Sequence, residues 1–375
     1  MNSSNPQSPR VGIVGSFLPP EELEHAIEQK KRGEISPEEF ARIEDEVIDR
    51  LIDREIAEGL TIVTDGEMRR KSWDRDFWEG LDGIERNRID TGHIYQDEPT
   101  RRDLLHFTGR VAYNPEHPFF DKFSHLLEIA KGRAEVRQTM PSPGELYVRL
   151  LLLSNGDLSK VYPSPETIFD DIAEAYRGTL DELYRRGCRH VQFDSSMWGR
   201  LSDPYVERTL LLGGLDPDQI TSDLIKVLNL TLNGRPSDLE VTLSIAADET
   251  KIPRWNDERE QTRLKEMLTE VDANSFLLPF DINSPAQLDI LSLLPEGKRA
   301  ILGLVDGSVP GLENVDDIVD CVRVAMRHVP LSLISLSPTC GFKVRDRERQ
   351  GLNYESQWSK INLLKQAALI LNGEA

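Results

Sequence analysis

Short apolar or β-branched runs alternate along the chain with longer segments of helical periodicity. The runs are VGIVGS (11–16), TIVTDGE (61–67), EVRQTMPSP (135–143), HVQFDSS (190–196), LEVTLSIA (239–246), SFLLPF (275–280), RAILGLVD (299–306) and LISLSPTC (333–340). Each has the length of a buried strand, and several end in Gly, Pro, Asp or Ser, which interrupt extended structure. The segments between them read as amphipathic helices. In DIAEAYRGTLDELYRRG, Ile172, Tyr176, Leu180 and Leu183 fall at spacings of three and four on one face, and Gly187 sits where a helix would terminate. In SPEEFARIEDEVIDRLIDREIAEG, Ser36 followed by Glu39 is a capping-box pattern, and Phe40, Ile43, Val47 and Leu51 form the stripe. The segments at 164–171 and 314–328 open with comparable cap signals.

Eight strand–helix alternations predict an α/β fold of the (β/α)8 TIM-barrel type over residues 11–375 as one domain, preceded by a disordered tail at 1–10. A barrel core takes about 250 residues, which leaves room for an insertion at about 68–134, between the second and third strands. Its mixture of charged, aromatic and turn residues predicts a short hairpin flanking the mouth of the barrel. An open doubly wound sheet is the competing architecture. The strand count disfavours it, as does the lack of a G-x-G-x-x-G turn after any strand.

Charge narrows the partners. The 375 residues carry 45 Lys plus Arg against 65 Asp plus Glu, a formal charge of −20. Such acidity argues against nucleic acid or an anionic membrane and leaves a small-molecule substrate. No run approaches the ~18 apolar residues of a membrane span, and the polar start MNSSNPQSPR has no signal-peptide core. Three widely spaced cysteines, Cys188, Cys321 and Cys340, fit reduced thiols of a cytoplasmic protein.

In a barrel the chemistry gathers where the strands end. These ends read Gly15-Ser16, Asp65-Gly66-Glu67, Met140 to Pro143, Asp194-Ser195-Ser196, Ser244 to Asp248, Pro279-Phe280-Asp281, Asp306-Gly307-Ser308 and Pro338 to Phe342. The expected site is acidic and rich in hydroxyls, with one thiol and no histidine. Glu67 and Asp194 suit an ammonium group or general acid–base work. Asp65 and Asp281 read equally well as loop caps. Cys340 reads either as a functional thiol or as a small buried hydrophobe. Trp73, Phe77 and Trp78 follow the basic Arg69-Arg70-Lys71, so stacking on a flat or anionic substrate stands beside a merely structural role. The chain has no P-loop, H-E-x-x-H, C-x-x-C or G-x-S-x-G, and its seven histidines show no ligand spacing.

Five segments together resemble the cobalamin-independent methionine synthase family, particularly its short single-barrel members. They are VGIVGSFLPP (11–20), GEISPEEFARIEDEVIDRLIDREIAEGLTIVTDGEMRR (33–70), YRGTLDELYRRGCRHVQFD (176–194), ILGLVDGSVPGLEN (301–314) and LSPTCGF with QWSKINLL (336–364). The resemblance implies methyl or alkyl transfer involving a small thiol or amino acid of homocysteine type, with a folate as the methyl donor. It implies that Ser16 contacts the substrate carboxylate, that Glu67 and Asp194 hold its ammonium, and that Cys340 is the last zinc ligand. Trp73 and Ser244 complete the expected substrate contacts, with Glu67, Asp194 and Cys340 as the catalytic candidates. The family's other zinc ligands do not carry over. Its His-x-Cys pair falls on Ser244 and Ala246, and its further carboxylate or thiolate falls on Pro279. One ligand of four remains, and a zinc site needs three or four donors, so the expectation is a degenerate zinc site. Two other readings follow: a metal-free lyase or decarboxylase on the same barrel, or a non-catalytic binding paralogue.

Overall fold

A computed structural model describes residues 9–95, 98–153, 161–162, 164–201, 203–245, 258–343 and 351–373. Residues 1–8 of the expected tail lie outside the described residues, and Arg10 already belongs to a strand. Among the described residues ten strands are formed in chain order: β1 (Arg10–Val11), β2 (Ile62–Val63), β3 (Asp82–Tyr95), β4 (Glu98–Ala112), β5 (Glu135–Pro141), β6 (His190–Ser195), β7 (Glu240–Ile245), β8 (Ser275–Pro279), β9 (Arg299–Val305) and β10 (Ile334–Pro338).

Eight of these, in the order β1-β10-β9-β8-β7-β6-β5-β2, make one parallel sheet curled into a (β/α)8 barrel. They are the eight apolar runs of the sequence. In β5, β6, β8 and β10 the side chains are buried on both faces almost throughout, which is why these runs lack a clean polar–apolar alternation. Helices return the chain between strands. Helix Pro37–Ala57 follows β1, and the Ser36 hydroxyl accepts the Glu39 N–H at 3.1 Å as its cap. Helix Pro165–Arg185 follows β5, and Gly187 beyond its end takes φ +105. After β8 the return is only a 3-10 run, Pro285–Leu293. The fully buried aromatics include Phe17, Tyr176, Phe193, Phe276 and Trp358.

The segment between β2 and β5 holds the antiparallel pair β3–β4 and the helix Phe119–Ala130. With strands of 14 and 15 residues, the hairpin is long rather than short. At its base Trp78 Nε1 donates to Tyr176 Oη at 2.9 Å, which anchors the insertion on a barrel helix. His117 is buried there among Phe77, Phe119 and Phe120. Its Nδ1 accepts the Phe119 N–H and its Nε2 reaches the Phe77 carbonyl at 2.9 Å, so the ring is a neutral Nε2–H tautomer. Burial lowers its pKa to about 4, which keeps the ring neutral in water near pH 7.

Among the described residues β1 and β2 share no ladder. The seam between them is closed by single bonds. The Phe17 N–H donates to the Gly66 carbonyl at 3.0 Å, and Thr64 Oγ1 donates to the Gly15 carbonyl at 2.9 Å. Two further side chains reach across the barrel interior to the same segment. Gln192 Nε2 donates to the Val14 carbonyl at 2.5 Å, and Arg137 Nη2 donates to the Ile13 carbonyl. Three successive carbonyls of the segment after β1, those of Ile13, Val14 and Gly15, are thus taken by side chains rather than by a neighbouring strand.

Candidate functional site

The turn after β2 is built to deliver one carboxylate. Asp65 Oδ1 accepts the Glu67 N–H at 2.9 Å, and both Gly66 (φ 62) and Glu67 (φ 54) take left-handed backbone. A Cβ at Gly66 would strike Leu51, so only glycine fits. A glutamate at positive φ is held against its preference, a condition that concentrates at functional sites. The strained turn places Glu67, 6% exposed, against the barrel mouth. Its Oε1 accepts from Thr139 Oγ1 at 2.8 Å and from Arg70 Nη1 at 3.1 Å. Arg70 is buried as well, donates to the Thr139 carbonyl at 2.8 Å and lies over the Phe119 ring. Gly15 leaves room for the pair: a Cβ there would sit 3.3 Å from Glu67 Oε1 and 2.9 Å from Thr139 Cγ2.

Asp194, at the end of β6, faces Glu67 from the ladder side. Burial, and then the like charge of Glu67, raises its pKa to about 7. Gln192 Nε2, at 2.7 Å from Asp194 Oδ1, opposes that rise, as do the nearby Ser244 hydroxyl and Arg70. Ser244 is adjacent in strand register, yet its Oγ makes no well-formed hydrogen bond among the described residues. Gln192 Oε1 and Ser337 Oγ are likewise buried without protein partners there. The barrel interior below the carboxylates therefore offers unmet polar atoms, which water or a ligand would satisfy.

The loop after β10 brings in the remaining candidates. The Phe342 N–H donates to the Ser16 carbonyl at 3.0 Å, and the Lys343 N–H approaches Ser16 Oγ at 3.3 Å. A Cβ at Gly341 would collide with Ser16 Oγ, so this glycine sets the close approach. Lys343 Nζ donates to the carbonyls of Glu67 (3.1 Å) and Arg70 (2.6 Å), which pins the D-G-E turn to the C-terminal loop. Burial lowers the Lys343 pKa, and the Glu67 charge works against that shift. Cys340 is half-buried in the same loop, packed so that a Cβ at Gly307 would lie 3.2 Å from its Sγ. Ser16, Glu67, Asp194 and Ser244 thus surround one mouth, with Cys340 on the loop that touches Ser16.

The other candidates stand apart. Trp73 is half-buried in the turn before the helix Arg75–Trp78, and no hydrogen bond or ring contact joins it to the carboxylates among the described residues. Asp281 and Asp306 cap their own loops, accepting the N–H groups of Asn283 and Ser308. Burial pushes the thiols of Cys188 and Cys321 up to about 12 and about 11, so both stay protonated hydrophobes.

Several residues of the site carried no motif: Arg70, Thr139, Gln192, Lys343 and Glu145. Glu145 is buried after β5 and accepts from the Ser195 hydroxyl (2.9 Å) and the Met197 N–H (2.6 Å), which shapes the turn that follows Asp194. A polar residue at an inward strand position, as in Gln192-Phe193-Asp194, was the signal available for Gln192.

The family's zinc finds no matching donor set among the described residues. Among the described residues no three His, Cys, Asp or Glu side chains gather as metal ligands. Cys340 is the one soft donor, beside a serine at 244 and a proline at 279. Ala246 and Asp248 lie outside the described residues.

No protein-family model matches the chain. It is 31% identical over 356 residues to the uncharacterised protein YxjG of Bacillus subtilis, covering 94% of this chain and 92% of that one. A methionine synthase of Pyrococcus abyssi is 22% identical over 341 residues, covering 90% of this chain and 87% of its own. A Listeria monocytogenes structure described as a candidate vitamin-B12-independent methionine synthase superposes with a TM-score of 0.74 at 24% identity, over 97% of this chain and 98% of that one. A B12-independent methionine synthase of a Shewanella species, solved with selenomethionine, gives 0.70 at 17% identity, over 98% of both chains. The solved structures share the barrel fold described above.

Proposed function

The chain belongs to the cobalamin-independent methionine synthase family as a short single-barrel member, and on that premise we propose that it transfers a methyl or alkyl group to or from a small amino-acid thiol of homocysteine type. The observation that carries the reading is the buried pair Glu67 and Asp194 at one barrel mouth. Two carboxylates facing each other out of water repel, and one holds its proton near neutral pH. A substrate ammonium between them relieves that repulsion and expels the proton. The site therefore selects a cationic group by the same electrostatics that make it costly when empty.

The Ser16 hydroxyl, which accepts the Lys343 N–H at 3.3 Å, keeps its own proton to donate to a substrate carboxylate. Glu67 and Ser16 then hold the two ends of a zwitterion, and the side chain of that amino acid extends toward the loop of Cys340. The described donor set does not fit zinc, so activation of the substrate thiol is assigned to no metal here. A folate is the methyl donor to test first.

Incubation with methyl-folate and homocysteine, with and without added zinc, is the direct experiment. Methionine formation supports the reading, and its failure under both conditions removes the transfer to homocysteine. Calorimetric titration with methionine tests the amino-acid site separately, so loss of the reaction with retained binding leaves the pocket assigned. The weak donor set favours a second reading, a metal-free lyase in which Asp194, poised near neutrality, acts as the base. Stoichiometric zinc in protein purified without chelator would remove it.

A further inference from the structure

At the end of the barrel opposite Glu67 lies a cavity of about 530 Å³. Barrel interiors are ordinarily filled with Val, Ile and Leu. Here the inward positions near the strand starts are Arg137 on β5, Thr242 on β7, Ser275 on β8 and Ser335 on β10. Arg137 is 6% exposed and uses one donor, Nη2, on the Ile13 carbonyl; its Nε has no partner among the described residues. The hydroxyl-bearing Thr242, Ser275 and Ser335 line the same cavity. One guanidinium and three hydroxyl-bearing side chains therefore line one space.

The charges at the rim have an imbalance. Arg189 is paired with Asp238 at 3.0 Å and His190 with Glu135 at 3.1 Å. Burial lowers the His190 pKa, so Glu135 keeps its charge, and what remains is Arg10, Arg137 and Arg299 against Glu135 and Glu240, a small excess of cations on a chain whose overall charge is −20. Burial lowers the Arg299 pKa and the charge of Arg10 lowers it further, while Glu240 at the same rim works the other way.

We propose that this cavity is an anion site for a phosphate group, with Arg137 and the hydroxyls of Thr242, Ser275 and Ser335 as its floor and Arg10 and Arg299 as its rim. Guanidinium and hydroxyl donors together suit a tetrahedral oxyanion, which accepts several hydrogen bonds at once. The volume exceeds what a bare phosphate needs and falls in the range of small-metabolite pockets, about 300–1,000 Å³. The site lies at the opposite end from the amino-acid pocket, so its ligand does not compete with that substrate.

The test is calorimetric titration of the full chain at constant ionic strength with inorganic phosphate and, separately, with ribose 5-phosphate. Saturable binding of either is expected, at least about tenfold weaker in the Ser275→Ala/Ser335→Ala double variant and about threefold weaker in Arg10→Gln. Circular dichroism and the thermal midpoint establish that both variants are folded. Tighter binding of the sugar phosphate assigns the site to a phosphomonoester, and equal binding assigns it to the free ion. No saturable binding of either probe, or affinity unchanged in both variants, overturns the proposal.

Discussion

The barrel wall is held together in two ways. From β5 round to β10, neighbouring strands are laced by parallel ladders whose register runs through several residues at every pair. Between β1 and β2 no ladder forms among the described residues. There the chain is held by Thr64 on Gly15, Gln192 on Val14 and Arg137 on Ile13. A ladder positions backbone whatever the side chains are. A seam held by side chains depends on their identity, and a change there moves the chain without unfolding the rest. The carboxylate pair spans the two constructions: Glu67 and Ser16 belong to the seam, Asp194 and Ser244 to the laced wall. The geometry of the pocket therefore rests on those three side chains together with the backbone bond from Phe17 to Gly66.

The largest effect should come from breaking the pair that joins the two regions. Glu67→Gln and Asp194→Asn are each expected to weaken methionine binding about 100-fold, or about 2.7 kcal/mol, by calorimetry. Equal affinity in both variants would remove the ammonium assignment. Gln192→Leu comes next, because it strips a donor from both Val14 and Asp194. We expect a loss of about 1–2 kcal/mol in urea unfolding and an Asp194 carboxyl raised further above its value of about 7.

Asp194→Asn separates binding from stability. The folded carboxyl titrates near 7 and an unfolded aspartate near 3.8. Between those values the folded state holds a proton that the unfolded chain has released. The contribution of Asp194 to stability thus falls as pH rises from about 4 to about 7, then levels off. Asp194→Asn should raise stability by about 1–3 kcal/mol at pH 8 and by little at pH 4, measured as thermal midpoints. A gain independent of pH would contradict the assignment.

Smaller effects compare single hydroxyls in the two regions. Thr64→Val removes a seam bond and should cost about 1 kcal/mol. On the laced wall Ser337 Oγ has no partner among the described residues, so Ser337→Ala should fall within about 0.5 kcal/mol of the parent. Equal costs for the two would erase the distinction between seam and wall.

Much of this arrangement was legible beforehand. All eight barrel strands are apolar runs bounded by turn residues, because a parallel strand buried on both faces needs continuous apolar character. The D-G-E segment was legible as an acidic strand end, though not the left-handed backbone that Gly66 and Glu67 adopt there. The partners of Glu67 were not. Arg70, Thr139 and Lys343 come from three separate places in the chain, and nothing local marks Lys343 as the residue that ties carbonyls 67 and 70. Trp73 illustrates the converse. An aromatic beside a basic stretch suggested stacking, yet the indole pinned inside the insertion is that of Trp78.

Alternation of apolar runs and amphipathic stripes was sufficient to determine an α/β barrel, because burial pattern and turn chemistry are local properties. The acidic character of the mouth was also written in the chain, since strand ends carry their own residues. Which carboxylate holds a proton, which carbonyls the seam surrenders to side chains, and where an arginine is buried with idle donors were decided only by tertiary structure. Those quantities depend on desolvation and on charges tens or hundreds of residues away, and no local pattern encodes a distance through space.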